Sequence, residues 1–356
     1  MILYAGSYTE IVAGDFGGHG EGIYCFHFDA ESGKLQLKHV QPSTNPSYLS
    51  IPSTKYLYTH TEVLEAKKPS VQAYEINKND FSLQLINEQE IPGGCPCHIN
   101  FSRKNNCILV ACYETGNTVI YPVAQDGKLL PHTKVLQHEG SSINKLRQER
   151  AHAHAVDVDE IFNNILVTDL GIDKIMVYQM GADRNGLDVK LKQAVALPPG
   201  SGPRHIAVHA ETKYAYVLNE LTGTITMMRY YNGHLEPLCT YSALPKEFKG
   251  IPSAAAIRIS ADGKFIYISE RGDDSISVLR FGSENETLEI IGRHKTMGKT
   301  PRDINFDPTG NWLLAANQDS DSIAIFKVDK NTGMINPVHL AENIKSPVCL
   351  AWLPLK

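Results

Sequence analysis

The 356-residue sequence contains no apolar run close to the roughly 20 residues that a membrane-spanning helix needs, because its longest apolar stretches are strand-sized. It also lacks a long run of Lys or Arg, and its formal net charge is −5, whereas nucleic-acid binding usually needs a basic patch. Hydrophobic residues make up 42% of the chain, which is enough for a folded core. We therefore expect a globular protein whose partners are neither membranes nor nucleic acids.

Cysteine is scarce, and its seven residues are an odd number, which fits reduced thiols better than a disulfide framework. Cys95 and Cys97 stand too close together for the usual zinc pair, and no second pair follows them. Residues 1–9 have neither a basic leader nor an apolar segment of the kind that signal peptides carry. The sequence therefore predicts a cytoplasmic protein without a metal or other cofactor.

One pattern recurs along the whole chain, with a period of roughly 50 residues that is typical of repeat folds. Each copy has a short leading strand, a polar turn, an aliphatic or aromatic second strand, and a further strand in which apolar and polar residues alternate. The leading strands of the seven copies begin at Pro46, Pro96, Ala153, Pro203, Ala254, Pro301 and Pro347. Short strands at this period, without convincing amphipathic helices between them, indicate a β-propeller.

The seventh copy is incomplete, because no second strand fits between Pro347 and Lys356. Residues 2–5, Ile-Leu-Tyr-Ala, have the composition of the missing strand. Pairing of the two terminal strands would close the ring and remove exposed sheet edges. We therefore predict an all-β fold, a single seven-bladed β-propeller domain over residues 1–356 that is closed by its N- and C-terminal strands. The alternative is a pair of β-sandwich domains.

Ionisable residues recur at two positions of the copies. Residues equally far from a hairpin turn share one rim, as do Arg204 and Glu220, which lie eight residues either side of Thr212. Aligned at their second strands, five copies give a first column of Cys97, His154, Arg204, Ala255 and Arg302 and a second column of Tyr113, Leu170, Glu220, Arg271 and Gln318. Both columns are expected to border one end of the central channel, where they would form an anion-binding and acid/base site.

Two other interpretations of these residues remain open. Arg204 and Glu220 could be an ion pair that only braces its blade. His152 and His154 lie on one face of their strand and could bind a metal, although no third ligand is evident.

Several of these segments resemble the propeller lactonases, a family that includes bacterial 6-phosphogluconolactonases and fungal 3-carboxy-cis,cis-muconate lactonising enzymes. The resemblance extends over essentially the whole chain. It is carried by Gly-Ser-Gly-Pro-Arg-His at 200–205, Tyr-Val-Leu-Asn-Glu-Leu at 216–221, the strand with His154, Ser-Glu-Arg-Gly at 269–272, Thr-Pro-Arg at 300–302 and Ala-Asn-Gln-Asp at 316–319. Relatives often carry an Asp in the leading strand that here reads Ala-Ala-Ala at 254–256, so a contact made there is in doubt.

The resemblance implies a metal-independent enzyme with His154, Arg204, Glu220 and Arg271 as its catalytic residues. Substrate-binding residues are then expected at the same mouth: His152, Asp169, His205, Arg302 and Asn317. The predicted reaction is hydrolysis of a small anionic sugar lactone, foremost 6-phosphogluconolactone to 6-phosphogluconate in the pentose phosphate pathway. A carboxymuconate-type cycloisomerase and a non-catalytic binding scaffold are the alternatives.

In the predicted mechanism either His154 or Glu220 activates a water molecule, because lactone hydrolysis needs a base. Arg204 and Arg271 would bind the developing oxyanion or the phosphate, and Arg302 would hold an anionic tail. Residues 141–150, which precede His152, are expected to form a loop over the mouth.

Overall fold

The computed structural model describes residues 1–183, 186–209 and 211–355 of the chain. Within these ranges the chain forms seven four-stranded antiparallel sheets, and the strands are numbered here in chain order. The innermost strand of each sheet contacts the innermost strands of its two neighbours, so the sheets form a closed ring around a central channel. The predicted seven-bladed β-propeller is confirmed.

Blades are numbered after the sequence copies. Blade 7 contains β1 (Ile2–Ser7), β4 (Ile23–Asp29), β5 (Lys34–Gln41) and β30 (Pro347–Trp352), with a separate hairpin of β2 (Ile11–Ala13) and β3 (Phe16–Gly17). Blade 1 contains β6 (Leu49–Ser50), β7 (Tyr56–His60), β8 (Ser70–Ile76) and β9 (Leu83–Glu90). Blade 2 contains β10 (Pro96–Ser102), β11 (Cys107–Cys112), β12 (Asn117–Pro122) and β13 (Lys134–Gln137). Blade 3 contains β14 (Ala153–Asp159), β15 (Asn164–Asp169), β16 (Lys174–Asp183) and β17 (Gly186–Ala196).

The remaining blades follow the same order. Blade 4 contains β18 (Pro203–His209), β19 (Tyr214–Asn219), β20 (Thr224–Tyr231) and β21 (His234–Ser242). Blade 5 contains β22 (Ala254–Ile259), β23 (Phe265–Glu270), β24 (Ser275–Gly282) and β25 (Thr287–Lys295). Blade 6 contains β26 (Pro301–Phe306), β27 (Trp312–Asn317), β28 (Ser322–Val328) and β29 (Ile335–Glu342). Two short 3-10 helices are Glu65–Lys67 and Gln318–Ser320. The described residues contain no helix that is long and apolar enough to cross a membrane.

The core lies between adjacent blades. Every residue of the second strands β11, β15, β23 and β27 is buried, because both faces of these strands are covered by the neighbouring blades. Strands covered on both faces carry continuous rather than alternating apolar residues, and this explains second-strand segments such as Cys-Ile-Leu-Val-Ala-Cys. The outermost strands β21 and β25 are mostly exposed or half-buried, because they face solvent.

The two ends of the chain meet in blade 7. β1 pairs antiparallel with β30, with Leu3 opposite Trp352 and Ala5 opposite Leu350. β30 is the innermost strand of this blade and β1 is its second strand. The predicted pairing of the terminal strands is therefore confirmed, and it gives blade 7 its fourth strand.

Candidate active site

A β-bulge recurs at one position of the inner hairpins and directs single residues toward the channel. In blade 3 the register skips between Ala153 and Ala155, and in blade 4 it skips between Pro203 and His205. The same skip leaves Cys97, Ala255 and Arg302 without a paired residue in blades 2, 5 and 6. Bulges bend a strand locally and re-aim a side chain. The first sequence column is thus the set of bulge residues.

A backbone hydrogen bond holds the second column against the first. The Glu220 amide donates to the Gly202 carbonyl at 2.7 Å, and the Arg271 amide donates to the Ser253 carbonyl at 3.1 Å. Gly202 has a φ of 64°, a backbone conformation that glycine adopts without steric cost. This local geometry brings the end of each second strand to the rim where the bulge lies.

The two columns surround a cavity at one mouth of the channel, which we call the upper cavity. Its volume is about 550 Å³, within the range of sites for small ligands. Its lining includes Cys97, His152, His154, Glu220, Arg271 and Arg302. Residues of five blades, distant along the chain, therefore meet at one place.

Glu220 is the centre of the charged network. Its Oε2 atom lies 3.0 Å from Arg204 Nε, 3.0 Å from Arg271 Nη2 and 3.8 Å from His154 Nε2. Its Oε1 atom accepts a hydrogen bond of 2.7 Å from Arg147 Nη2. A carboxylate held by three guanidinium groups is fixed in position and presents a cluster of positive charge to the cavity.

The pKa shifts separate the roles of the two candidate bases. Burial raises the pKa of the Glu220 carboxyl, but Arg271, Arg147 and Arg204 outweigh burial and hold it well below its usual range. Burial and the charge of Arg204 also hold the pKa of His154 well below its usual range. At neutral pH Glu220 is therefore a carboxylate engaged by arginines, and His154 is a neutral imidazole.

Arg204 and Arg271 differ in their access to the cavity. Arg271 lines the upper cavity, with 14% of its side chain exposed. Arg204 lies beneath it with 4% of its side chain exposed, and its Nη1 atom contacts the Ala255 carbonyl and His205 Nε2. Sequence alone predicts that both arginines bind the oxyanion or the phosphate, whereas only Arg271 is placed to touch a ligand directly.

Arg302 is held by two partners that the sequence analysis missed. Its Nη2 atom donates to the Tyr8 hydroxyl at 2.7 Å, and that hydroxyl donates to Glu62 Oε2 at 2.9 Å. The Arg302 guanidinium also lies 5.0 Å from the ring centres of Tyr8 and Phe16, at a distance typical of cation–π contacts. Burial raises the pKa of the Glu62 carboxyl, although Arg302 opposes this shift. Arg302 therefore stays at the cavity wall with its charge only partly compensated.

Residues 141–150 contribute to the upper cavity, as the predicted position of this loop over the mouth requires. Arg147 lies within the loop, donates to Glu220 and also lies 3.3 Å from the Tyr113 hydroxyl. Its side chain is 43% exposed. No repeat alignment predicts this contact, because the loop is an insertion between blades 2 and 3.

His152 also lines the upper cavity, and its ring is fixed on three sides. Its ring stacks on Tyr113 with 4.3 Å between ring centres, its Nδ1 atom lies 2.8 Å from the Tyr113 carbonyl oxygen, and its Nε2 atom lies 3.2 Å from Glu149. Among the described residues no group of three His, Cys, Asp or Glu side chains could hold a metal ion. The structure thus gives His152 a place in the cavity wall.

Three residues expected at this mouth do not reach the upper cavity. His205 follows the bulge residue along β18 and lines a cavity at the opposite mouth. Asp169 is fully buried and contacts His138 Nδ1 at 2.7 Å, and Asn317 is fully buried and donates to the Thr296 carbonyl. Asp169 and Asn317 end their second strands one residue before the rim position, so their side chains turn into the blade instead of the channel.

Asp169 anchors the segment that leads to His152. Besides His138, it accepts hydrogen bonds from the backbone amides of His152 at 2.7 Å and Gly171 at 3.0 Å. We expect Asp169→Ala to lower the free energy of unfolding by about 3–5 kcal/mol, because His138 and the two backbone amides would be left buried without their acceptor. Urea denaturation measures this loss. Asp29→Ala, at an exposed turn, is the control, and a loss below about 1 kcal/mol for Asp169→Ala would contradict the anchoring role.

The fold and the upper cavity together define a propeller enzyme with a small-molecule site at one mouth. The family model described as "Lactonase, 7-bladed beta-propeller" matches residues 2–352. A protein of Bacillus subtilis named 6-phosphogluconolactonase is 33% identical over 355 residues, which cover 99% of this chain and 98% of that protein. A Formosa agariphila protein of the same name is 34% identical over 338 residues, or 94% of each chain.

A solved structure agrees with these relatives. The periplasmic gluconolactonase of Pseudomonas aeruginosa has a TM-score of 0.90 and 28% identity, and the similarity covers 100% of this chain and 99% of that one. The chain belongs to the seven-bladed β-propeller lactonase family, and it is a lactonase. The binding-scaffold alternative is therefore not retained.

Proposed function

We propose that this lactonase hydrolyses the lactone of an anionic sugar acid, with 6-phosphogluconolactone as substrate and 6-phosphogluconate as product, a step of the pentose phosphate pathway. The observation that carries the proposal is the convergence of Arg147, Arg271 and Arg302 with neutral His154 on one cavity of about 550 Å³. The names of the Bacillus subtilis and Formosa agariphila relatives support this substrate.

His154 is the proposed base. Its imidazole is neutral, and the arginines hold Glu220 as a carboxylate with a strongly lowered pKa, which makes Glu220 the weaker proton acceptor. A water molecule beside His154 loses a proton to the imidazole as its oxygen attacks the lactone carbonyl carbon. The binding of an anionic substrate would offset the charges of the neighbouring arginines and so raise the pKa of His154.

Arg271 is the proposed donor to the oxyanion of the tetrahedral intermediate, because its guanidinium faces the cavity while Glu220 fixes its orientation. The carbon–oxygen bond of the lactone ring then breaks. The imidazolium of His154 returns its proton to the departing ring oxygen, which yields the open-chain acid and restores the neutral imidazole. Arg204 positions Glu220 from below the cavity.

Arg147 and Arg302 are the proposed phosphate ligands, since both line the cavity in addition to Arg271. Two charge-assisted contacts of about 1.5–3 kcal/mol each would favour a phosphorylated lactone over its unphosphorylated counterpart by roughly 100-fold or more in kcat/KM. Proton release from 6-phosphogluconolactone and from D-glucono-1,5-lactone measures this preference. Equal kcat/KM for both would contradict the phosphate site, and a carboxymuconate-type lactone assayed alongside tests the cycloisomerase alternative.

Arg147→Met sharpens the substrate test. We expect it to reduce the preference for the phosphorylated lactone by about tenfold, as one charged contact is lost. Stability should change little, because 43% of the side chain is exposed and Glu220 keeps its contacts with Arg204 and Arg271. Arg280→Met is the matched control, because Arg280 is also exposed and pairs with Glu289 at 2.6 Å on an outer face.

We also propose that the enzyme works in the cytoplasm. All seven cysteines are free thiols and six of them are buried, which suits a reducing compartment. Cell fractionation checks this location, and the periplasmic relative makes the check necessary.

A further inference from the structure

The channel has a second cavity at its opposite mouth, with a volume of about 590 Å³, which we call the lower cavity. The innermost strands run from one mouth to the other, so β18 places Arg204 beneath the upper cavity and His205 in the lower one. Arg204 separates the two, since its guanidinium contacts Glu220 on one side and His205 on the other. The lower cavity is therefore distinct from the active site.

Two buried histidines of the lower cavity have tautomers that their partners determine. Arg204 can only donate, so His205 Nε2, 3.0 Å from Arg204 Nη1, must accept and the proton lies on Nδ1. The Val156 amide likewise donates to His98 Nδ1 at 3.4 Å, which places the His98 proton on Nε2. Burial holds the pKa of both imidazoles well below the usual range, so both are neutral at neutral pH.

The protonated nitrogens of these histidines are available to a ligand. Neither His205 Nδ1 nor His98 Nε2 has a hydrogen-bond partner among the residues that the structure describes. Both side chains line the lower cavity and are less than 10% exposed. Two N–H donors with determined tautomers, one from blade 2 and one from blade 4, therefore line the same cavity.

Aromatic rings line the space beside these donors. The Tyr48 ring lies 4.0 Å from the His98 ring at an interplanar angle of 34°, and the His205 ring lies 5.3 Å from His98 at 74° and 6.1 Å from Tyr48 at 90°, measured between ring centres. The three rings form an angled apolar wall, against which the C–H groups of a sugar can pack while its hydroxyl groups reach the donors.

A hydrogen-bond acceptor, Asp157, also lines the lower cavity. Asp157 Oδ1 accepts from Asn100 Nδ2 at 3.0 Å and from the Val158 amide at 2.9 Å, whereas Oδ2 has no partner within the described part of the chain. Burial raises the pKa of this carboxyl to about 6. Asp157 can thus accept a hydrogen bond from a hydroxyl group.

The charges of the lower cavity do not favour an anion. Arg258, whose side chain belongs to this cavity, already pairs with Asp303 at 2.9 Å and donates to the Ile257 carbonyl at 2.8 Å. Its charge is compensated, and the neutral histidines add none. Phosphate or carboxylate groups would therefore meet Asp157 without an unpaired cation to offset it.

We propose that the lower cavity is a binding site for a neutral polyhydroxylated molecule, an aldose or a polyol, which accepts hydrogen bonds from His98 and His205 and donates one to Asp157. The site is independent of lactone hydrolysis and does not rest on the proposed substrate. Its occupant would touch His205 and so lie one residue from the arginine that positions Glu220.

Saturation-transfer difference NMR with D-glucose as the probe tests this site on the full chain. A ligand of this size and polarity is expected to bind with a Kd of roughly 1–10 mM. His98→Phe keeps an aromatic ring at this position but removes the donor, and it should weaken D-glucose binding about tenfold. His152→Gln is the matched control, because it replaces a buried histidine of the upper cavity whose contacts are with Tyr113 and Glu149, and it should leave D-glucose binding unchanged.

Three results would overturn the proposal. One is the absence of saturation transfer to D-glucose in the wild type at concentrations well above this range. The other two would locate the sugar in the cationic upper cavity: a loss of D-glucose binding in His152→Gln, and displacement of D-glucose by lower concentrations of D-gluconate. If His98→Phe does not fold, Ser50→Tyr, which fills the lower cavity from a half-buried position at its wall, must abolish D-glucose binding.

Discussion

Replacing His154 with Gln is expected to lower kcat/KM for 6-phosphogluconolactone by about 10²–10⁴-fold, the usual contribution of a general base. Glutamine fills a similar volume but cannot take a proton from water. The side chain of His154 contacts the Cys97 thiol at 3.9 Å, the Tyr113 and His205 rings at 5.7 Å between ring centres, and Glu220 at 3.8 Å. None of these is a short hydrogen bond, so the melting temperature should change little. Steady-state proton release together with thermal melting measures both quantities.

The control for this variant is His39→Gln, because His39 contacts the Phe81 carbonyl on an outer strand far from the cavity. Its activity should equal that of the wild type. A kcat/KM of His154→Gln within threefold of the wild type, about 0.7 kcal/mol in activation free energy, would refute the assignment of the base. Activity lost in Glu220→Gln but kept in His154→Gln would transfer that role to Glu220.

Deleting the last ten residues is expected to abolish soluble folding. These residues contain β30, the innermost strand of blade 7, whose residues Val348, Cys349 and Leu350 are buried. Without β30, β1 becomes an exposed edge, and the cores that blade 7 shares with blades 1 and 6 lose their lining. Circular dichroism and thermal melting of the truncated chain give the result.

A shorter deletion provides the control. Removing residues 354–356 leaves β30 and the hydrogen bond from the Leu353 amide to the Ile2 carbonyl in place, so this chain should fold. If the longer deletion also melts cooperatively at a temperature near that of the wild type, closure by the terminal strands is not required for folding.

The sequence was sufficient to predict the ring and both rim columns, because every blade meets the same packing requirements with the same local pattern. The Gly-Pro-Arg-His strand illustrates this, since its Pro and its bulge residue Arg204 recur as Pro301 and Arg302. Pattern alone did not place His205 correctly. The bulge lets two successive residues face the channel at different depths, whereas ordinary strand alternation sends neighbours to opposite faces.

The contacts that escaped prediction come from outside the repeat. Tyr8 and Phe16 belong to the segment that follows β1, Glu62 follows β7, and Arg147 belongs to the inserted loop. These segments share no repeated sequence pattern. They reach Arg302 and Glu220 only because the blades form a closed ring. Asp169 was wrongly predicted to face the channel. A shift of one residue in register decides whether a side chain at the end of a second strand faces the channel or a neighbouring turn.

Because of the bulge, the side chains that face the channel can change during evolution while the fold stays the same. The position of the bulge is set by backbone pairing, and the side chains that occupy it differ widely: Cys97, His154, Arg204, Ala255 and Arg302. A single amino-acid substitution at one of these positions therefore changes a side chain at the channel while the propeller fold is retained. A lineage built on this ring can acquire a new specificity in a few steps, each of them compatible with folding.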